Sequence, residues 1–187
     1  MNHAVEIFHD CTPDLFRTRI EPRREPAVMR GLPLGPCTNS WRSPELFGRQ
    51  LRPRTVRVHV TREPNMSFAA KNFQYCDMDM RELVNRAQDD SVKENGELYY
   101  LRSVNAEGRT IQISRLHTDF PELAEDFCLP ALFEPDRFFS SVLRISSGGV
   151  RVWTHYDVMD NVYCQILGHK TAVLWPPHEA SRLYIDG

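Results

Sequence analysis

The feature that most constrains the fold of this chain is a change of pattern at residue 140. From there on, β-rich runs of four or five residues are divided by short turn-forming segments. The runs cover residues 142–145, 150–153, 163–167 and 172–175, and the segments between them include residues 146–149, residues 157–161 and Gly168. Short strands at this spacing are typical of an antiparallel barrel or sandwich.

The part of the chain before residue 136 mixes helical and strand patterns. Capping residues followed by proline predict helix starts, and alternating valines predict a half-buried strand. These signals are helix starts at Thr12-Pro13-Asp14 and Ser43-Pro44-Glu45, an amphipathic helix over residues 79–89, and strands at residues 56–60 and 99–101. We therefore expect a single, mainly β domain with flanking helices, in which residues 1–135 form a mixed α/β part and residues 136–187 a β core.

The composition indicates one globular domain in a reducing compartment. The chain has 187 residues, of which 41% are hydrophobic and 26% charged, enough to bury one core. Its five cysteines are widely spaced and include no Cys-x-x-Cys, which argues against a disulfide framework or a zinc knuckle. No run approaches the roughly 18 apolar residues of a membrane span, and the N-terminus lacks a secretion signal pattern. We expect an intracellular protein, in the cytoplasm or the nucleus, without membrane contact.

Positive charge is concentrated in the first third of the chain. Residues 1–62 contain 11 arginines, no lysine and 6 acidic residues, for a net charge of +5, whereas residues 63–187 contain 12 basic and 19 acidic residues, for −7. Guanidinium groups fork onto phosphate oxygens, so the basic part either forms a phosphate-binding surface or is a solvated arginine-rich face. The arginines around its strand-like segment are Arg42, Arg49, Arg52, Arg54, Arg57 and Arg62.

A His-x-Asp tripeptide, His155-Tyr156-Asp157, follows the second β-rich run. In an extended segment residues i and i+2 share a face, so His155 and Asp157 can converge on one cation while Tyr156 points away. An imidazole and a carboxylate are two of the three ligands of the 2-His-1-carboxylate arrangement that holds non-haem Fe(II). The alternative is that both are surface or capping residues.

Three further residues are candidates for the same site. Lys170 lies just before an apolar run, where its ammonium could pair with the distal carboxylate of a dianionic co-substrate. Tyr100 could donate a phenolic hydrogen bond to that carboxylate, and Asn161 could bond near the metal. Taken singly, Tyr100 also fits an amphipathic core-edge residue and Asn161 a turn residue.

The block over residues 138–177 resembles the JmjC-type Fe(II)- and 2-oxoglutarate-dependent oxygenases. It has His-x-Asp, an asparagine shortly after, and Gly-x-Lys followed by an apolar strand that ends in Trp175-Pro176-Pro177. Within that family the chain is especially similar to the JmjC hydroxylases of wybutosine synthesis, which act on phenylalanine tRNA. The segments that carry this likeness are Gly35-Pro36-Cys37-Thr38, Lys71-Asn72-Phe73, Tyr99-Tyr100-Leu101-Arg102-Ser103, residues 138–142 and residues 153–161.

The resemblance implies a fold, a cofactor set and a reaction. The fold would be a JmjC, cupin-like double-stranded β-helix, with residues 136–187 as its first half. His155 and Asp157 would bind Fe(II), and Tyr100, Asn161 and Lys170 would contact the co-substrate 2-oxoglutarate. The reaction would be hydroxylation of the amino-carboxypropyl side chain of a wyosine-type base, by a homodimer that binds tRNA through its basic part.

The chain departs from the family pattern in one respect. The family's second iron-binding histidine comes several dozen residues after the aspartate, and residues 181–187 do not supply it. We therefore expect the complete protein to be longer, with an incomplete β-helix and an incomplete iron site in these 187 residues. Two alternatives stay open: a JmjC hydroxylase that acts on a protein, and an inactive truncated isoform that binds tRNA or dimerises.

Overall fold

The structure, a computed structural model, describes residues 4–89, 96–104, 113–132 and 134–183. At its N-terminal end two parallel strands, β1 (Glu6–His9) and β2 (Ala27–Arg30), flank a helical segment. That segment consists of α1 (Pro13–Leu15), a π-helical turn (Phe16–Ile20) and a 3-10 turn (Glu21–Arg23). Buried side chains of this region, with Leu132, form a small core of their own: Cys11, Phe16 and Ile20.

The main sheet is antiparallel and has four strands. They are β3 (Thr55–Thr61), β4 (Phe73–Asp79), β5 (Leu98–Arg102) and β6 (Arg144–Ser146). In space their order is β4-β3-β5-β6. Because β5 precedes residue 136 and β6 follows it, the sheet crosses the predicted boundary between the two parts of the chain.

Helices flank this sheet, and their starts are set by local capping. They are α2 (Cys37–Ser40), α3 (Pro44–Gln50), α4 (Met80–Gln88) and α5 (Leu116–Asp119). The hydroxyl of Ser43 accepts a hydrogen bond from the backbone N–H of Leu46, and Thr12 caps α1 in the same way. The predicted helix starts and the mainly β architecture with flanking helices are confirmed.

The two faces of the sheet differ because side chains alternate along each strand. Val58 of β3 and Leu101 of β5 point to the face that packs against the helices, where Leu83 of α4 is fully buried. Aromatic residues in and beside the helices complete this core: Trp41, Phe47, Phe120 and Phe127.

The opposite face carries polar and aromatic side chains. The strand register places His59 of β3 opposite Tyr100 of β5, and Arg102 opposite Arg144 of β6. Tyr100 belongs to a third, smaller apolar cluster with Phe73, against which Trp153 packs. This face therefore receives the segment that follows β6.

Three of the four β-rich runs after residue 140 do not join a strand ladder as predicted. Only the first run does: it forms β6, which covers residues 144–146 instead of the predicted 142–145. The second run contributes one bridge, between Arg151 and Asn65. The runs at 163–167 and 172–175 pair with no strand among the described residues, and residues 184–187 of the predicted core lie outside that set. Val162, Cys164 and Ile166 are half-buried while the residues between them are exposed. The strand-like alternation is present, but the backbone partner that a ladder requires is not found in this part of the chain.

Within the described ranges, no helix combines the length and apolar character needed to cross a bilayer.

Candidate active site

A cleft of about 530 Å³ opens on the polar and aromatic face of the sheet. The sheet lines it with His59, Tyr100, Arg102 and Arg144. The segment after β6 lines it with Trp153, His155 and Asp157, and smaller or apolar residues complete its walls. A cavity of this volume accommodates a small-molecule ligand.

His155 and Asp157 face this cleft together. The Nδ1 atom of His155 lies 2.8 Å from the carbonyl oxygen of Trp153, and a carbonyl only accepts, so Nδ1 donates this hydrogen bond and Nε2 is the ring nitrogen left for another partner. One carboxylate oxygen of Asp157, Oδ2, accepts a hydrogen bond from Asn161 at 3.0 Å. Tyr156, between them, is 69% exposed. These two hydrogen bonds orient the imidazole and the carboxylate, as hydrogen bonds to metal ligands do.

The residues present fit part of an Fe(II) site. His155 offers an imidazole nitrogen and Asp157 a carboxylate, the ligand types of the facial triad. Among the described residues, no group of three or more His, Cys, Asp or Glu side chains is placed to hold a metal. The described residues therefore match two of the three ligand types of that triad.

Tyr100 lies in the floor of the cleft, 4% exposed. Its phenolic oxygen accepts a hydrogen bond from Nη1 of Arg144 at 2.5 Å. The sequence alone did not point to Arg144, because its role depends on the pairing of β6 with β5. The sequence alone did not point to His59 either, whose Nδ1 donates to the carbonyl of Tyr100 at 3.2 Å because β3 pairs with β5.

Lys170 and Asn161 do not line the cleft. The ammonium of Lys170 lies 4.9 Å from the ring centroid of Tyr163, and its side chain is exposed. Burial raises the pKa of the Tyr163 phenol, and the positive charge of Arg144 opposes that rise. Tyr163 therefore lies near both Lys170 and Arg144. Of the five predicted site residues, His155, Asp157 and Tyr100 line the cleft. Asn161 is hydrogen-bonded to Asp157, and Lys170 lies outside the cleft.

The six arginines around the strand-like segment separate into two groups. Arg57 is paired with Asp77 of the neighbouring strand at 2.9 Å, and Arg54 approaches Glu122 at 3.9 Å. The others are exposed and form no ion pair with any residue the structure describes: Arg42, Arg49, Arg52 and Arg62.

Comparison with known proteins agrees with this architecture. A family model described as a cupin-like domain matches residues 13–187. A Danio rerio protein called tRNA wybutosine-synthesizing protein 5 is 43% identical over 187 residues, which cover 98% of this chain and 57% of the relative. The Homo sapiens protein of that name is 39% identical over 176 residues, 92% of this chain and 55% of the relative.

A fungal relative is similar over a smaller share of its length. The Neurospora crassa protein called tRNA wybutosine-synthesizing protein 4 is 39% identical over 168 residues, 88% of this chain and 13% of the relative. The chain thus spans little more than half the length of the animal relatives it matches. Since the family model covers nearly all of the sequence, this chain belongs to the cupin-like domain family, of the JmjC type.

Proposed function

We propose that this chain is the catalytic part of an Fe(II)- and 2-oxoglutarate-dependent oxygenase of wybutosine biosynthesis. Its substrate would be the amino-carboxypropyl side chain of a wyosine-type base in phenylalanine tRNA. The observation that carries the proposal is the placement of His155 and Asp157 on one cleft with Tyr100. The names of the relatives supply the pathway, since both animal and fungal proteins are called wybutosine-synthesizing.

His155 and Asp157 would hold the metal, through Nε2 and through the carboxylate that Asn161 anchors. A third ligand would have to come from outside the described ranges. The chemistry that Fe(II) supplies in this family is activation of O2, with one oxygen atom ending in the succinate formed from 2-oxoglutarate and the other in the new hydroxyl group. The residues of the cleft would bind and orient the co-substrate, with Trp153 and Phe139 as aromatic parts of its wall.

The tRNA would be held by phosphate contacts from the exposed arginines of the N-terminal part. Arg52 and Arg62 flank β3 on either side, and neither forms an ion pair with a described residue. Phosphate contacts of this kind are independent of base identity and weaken with salt. We propose further that the protein acts as a homodimer inside the cell.

The test is an assay of the native polypeptide, whose intact mass is measured first. We expect succinate release that depends on Fe(II) and on phenylalanine tRNA bearing the wybutosine precursor, with a mass gain of one oxygen atom in the base. His155→Ala and Asp157→Ala should each abolish both signals, while His178→Ala, on an exposed 3-10 turn, should leave them unchanged. Succinate release stimulated by protein extract but not by tRNA would favour a protein hydroxylase instead. No turnover with either substrate, combined with retained tRNA binding, would favour the inactive isoform.

A further inference from the structure

An ion pair joins the N-terminal end of the fold to the loop that follows Asp157. The guanidinium of Arg24 donates two hydrogen bonds to the carboxylate of Asp160, from Nη1 at 2.8 Å and from Nη2 at 2.7 Å. Each bond uses a different oxygen of that carboxylate, so the pair is bidentate, which adds a fixed geometry to the attraction between the charges. The two residues are 136 positions apart in the chain. The pair therefore attaches the loop to a distant part of the fold.

Arg24 has an unusual backbone conformation at the point where it meets the loop. It follows the 3-10 turn of Glu21–Arg23 with a φ of 53°, in the left-handed region that residues other than glycine rarely adopt. Residues in such conformations persist where the surrounding structure fixes them, and they cluster at functional sites. Glycine or asparagine would fit this backbone with less strain. A long charged residue here points to a role for its side chain.

Two more charged residues surround the pair. The hydrogen bond from Arg24 lowers the pKa of Asp160 below its ordinary value, and the positive charges of Arg24 and Arg137 lower it further. Arg137 in turn donates to the carboxylate of Glu21 at 3.0 Å. An isolated ion pair at the surface contributes little, but a bidentate pair within a network of charges is the exception. The four residues form such a network, with alternating positive and negative charges.

The loop is held again on the other side of Asp160, where Val162 packs against the small N-terminal core. Between these two attachments lies Asn161, whose side-chain amide donates to the carboxylate of Asp157 at 3.0 Å. Because Asn161 directly follows Asp160 in the chain, a displacement of Asp160 also moves the donor that orients Asp157. The N-terminal end of the fold is thus connected to the candidate metal ligand.

We infer that Arg24 is a positioning residue for the candidate metal site. Through Asp160 it fixes the loop of residues 157–161, and that loop orients the carboxylate of Asp157 through Asn161. The inference rests on the proposed function for the assignment of Asp157 as a metal ligand. It gives the N-terminal end of the fold a role in metal affinity, in addition to the phosphate contacts proposed for the basic part.

The first measurement is the affinity of the native polypeptide for Mn(II), followed by electron paramagnetic resonance. Arg24→Met and Asp160→Asn should each weaken binding about three- to tenfold, less than the roughly 10- to 100-fold loss expected for a group bonded to the ligand itself. Both changes in one chain should weaken it no more than either alone, because the two side chains act as a pair. Arg24→Lys should keep part of the affinity, since an ammonium retains the charge but not the fork.

The second measurement is hydrogen exchange of the backbone amides of residues 157–161, followed by mass spectrometry. Exchange should be faster in Arg24→Met and in Asp160→Asn than in the unmodified protein. Glu134→Gln is the matched control, because it breaks another exposed pair, between Arg17 and Glu134 at 3.4 Å, that joins the N-terminal end to a later segment outside the loop. Its Mn(II) affinity and its loop exchange should equal those of the unmodified protein.

Several results would overturn the inference. Faster loop exchange with unchanged Mn(II) affinity would reduce the pair to a structural contact. A double variant that loses the product of the two single effects would show that the residues act separately. An equal loss of affinity in Glu134→Gln would show a general effect of the N-terminal end. Should Arg24→Met not fold, unchanged affinity in Asp160→Asn overturns the inference in the same way.

Failure of the proposed function gives a different result. If the unmodified protein does not bind Mn(II), the assignment of Asp157 to a metal is contradicted. Loop exchange that still depends on Arg24 and Asp160 in that case would leave the attachment of the loop standing, whereas exchange that is the same in all variants would overturn that as well.

Discussion

Asn161 anchors Asp157 from the side of the cleft. Its Nδ2 donates to Oδ2 of Asp157 at 3.0 Å and to the carbonyl oxygen of Met159 at 3.2 Å. The bond to Met159 fixes the side-chain amide of Asn161, and the bond to Asp157 fixes that carboxylate relative to the loop. Oδ1 of Asp157 accepts no hydrogen bond from the described residues, so one oxygen is held and the other is available to a cation.

Removing this anchor should weaken metal binding. For Asn161→Ala we expect the affinity of the chain for Mn(II), used as an Fe(II) analogue, to fall about 10- to 100-fold, the usual effect of losing a group that orients a metal ligand. Titration followed by electron paramagnetic resonance measures it. Asn39→Ala, at an exposed position on α2, is the control and should bind as the unmodified chain does. Equal affinities in both variants would show that Asn161 does not orient Asp157.

The helix-packed face of the sheet should dominate stability. Leu83 of α4 is fully buried against β3 and β5, so Leu83→Ala removes apolar contacts and leaves a cavity. We expect its free energy of unfolding to fall by about 2–5 kcal/mol, measured by urea denaturation. Leu129→Ala, at a position that is 37% exposed, should change it by no more than about 0.5 kcal/mol. A loss below about 1 kcal/mol for Leu83→Ala would mean that α4 does not pack as described.

The pair formed by Arg57 and Asp77 should be visible in an acid titration. The hydrogen bond from Arg57 lowers the pKa of Asp77 below its ordinary value. A carboxyl whose pKa is depressed on folding contributes stability above its unfolded pKa, and that contribution is lost as the pH falls through the folded pKa. In Arg57→Met we expect the pKa of Asp77 to rise toward its ordinary value, as followed by carboxyl NMR, with little change in stability at neutral pH because both side chains are exposed. An unchanged pKa would show that the pair does not persist in solution.

Ion pairing should also decide which arginines bind tRNA. Arg62→Met should weaken tRNA binding and reduce the slope of log affinity against log salt by about 0.7–0.9 if Arg62 contacts one phosphate. Arg57→Met is the matched control on the same strand segment, since the guanidinium of Arg57 is already held by Asp77, and it should leave the slope unchanged. Fluorescence anisotropy at several salt concentrations measures both. A larger change of the salt slope in Arg57→Met than in Arg62→Met would place the phosphate contacts on the Arg57 side of the sheet.

Local signals in the sequence predicted the elements that local interactions control. The Thr12 and Ser43 caps start helices where expected, because a cap needs only a hydroxyl three residues before a backbone N–H. The alternating valines formed β3 as expected, but His59 and Thr61 on its other face are also buried, because the cleft side of the sheet is covered by later parts of the chain. The runs at 163–167 and 172–175 show the limit, since a β-rich sequence does not supply the neighbouring strand that a ladder needs.

The sequence by itself determined the chemistry that this protein can offer: an imidazole and a carboxylate two residues apart, whose placement on one side of an extended segment follows from backbone geometry. Only the tertiary structure decided what surrounds them. Arg144 meets Tyr100 because β6 pairs with β5, at a separation of 44 residues in the chain. Lys170 lies over Tyr163 and does not line that cleft. Contacts between strands depend on register and on the order of strands in the sheet, which no short sequence window contains.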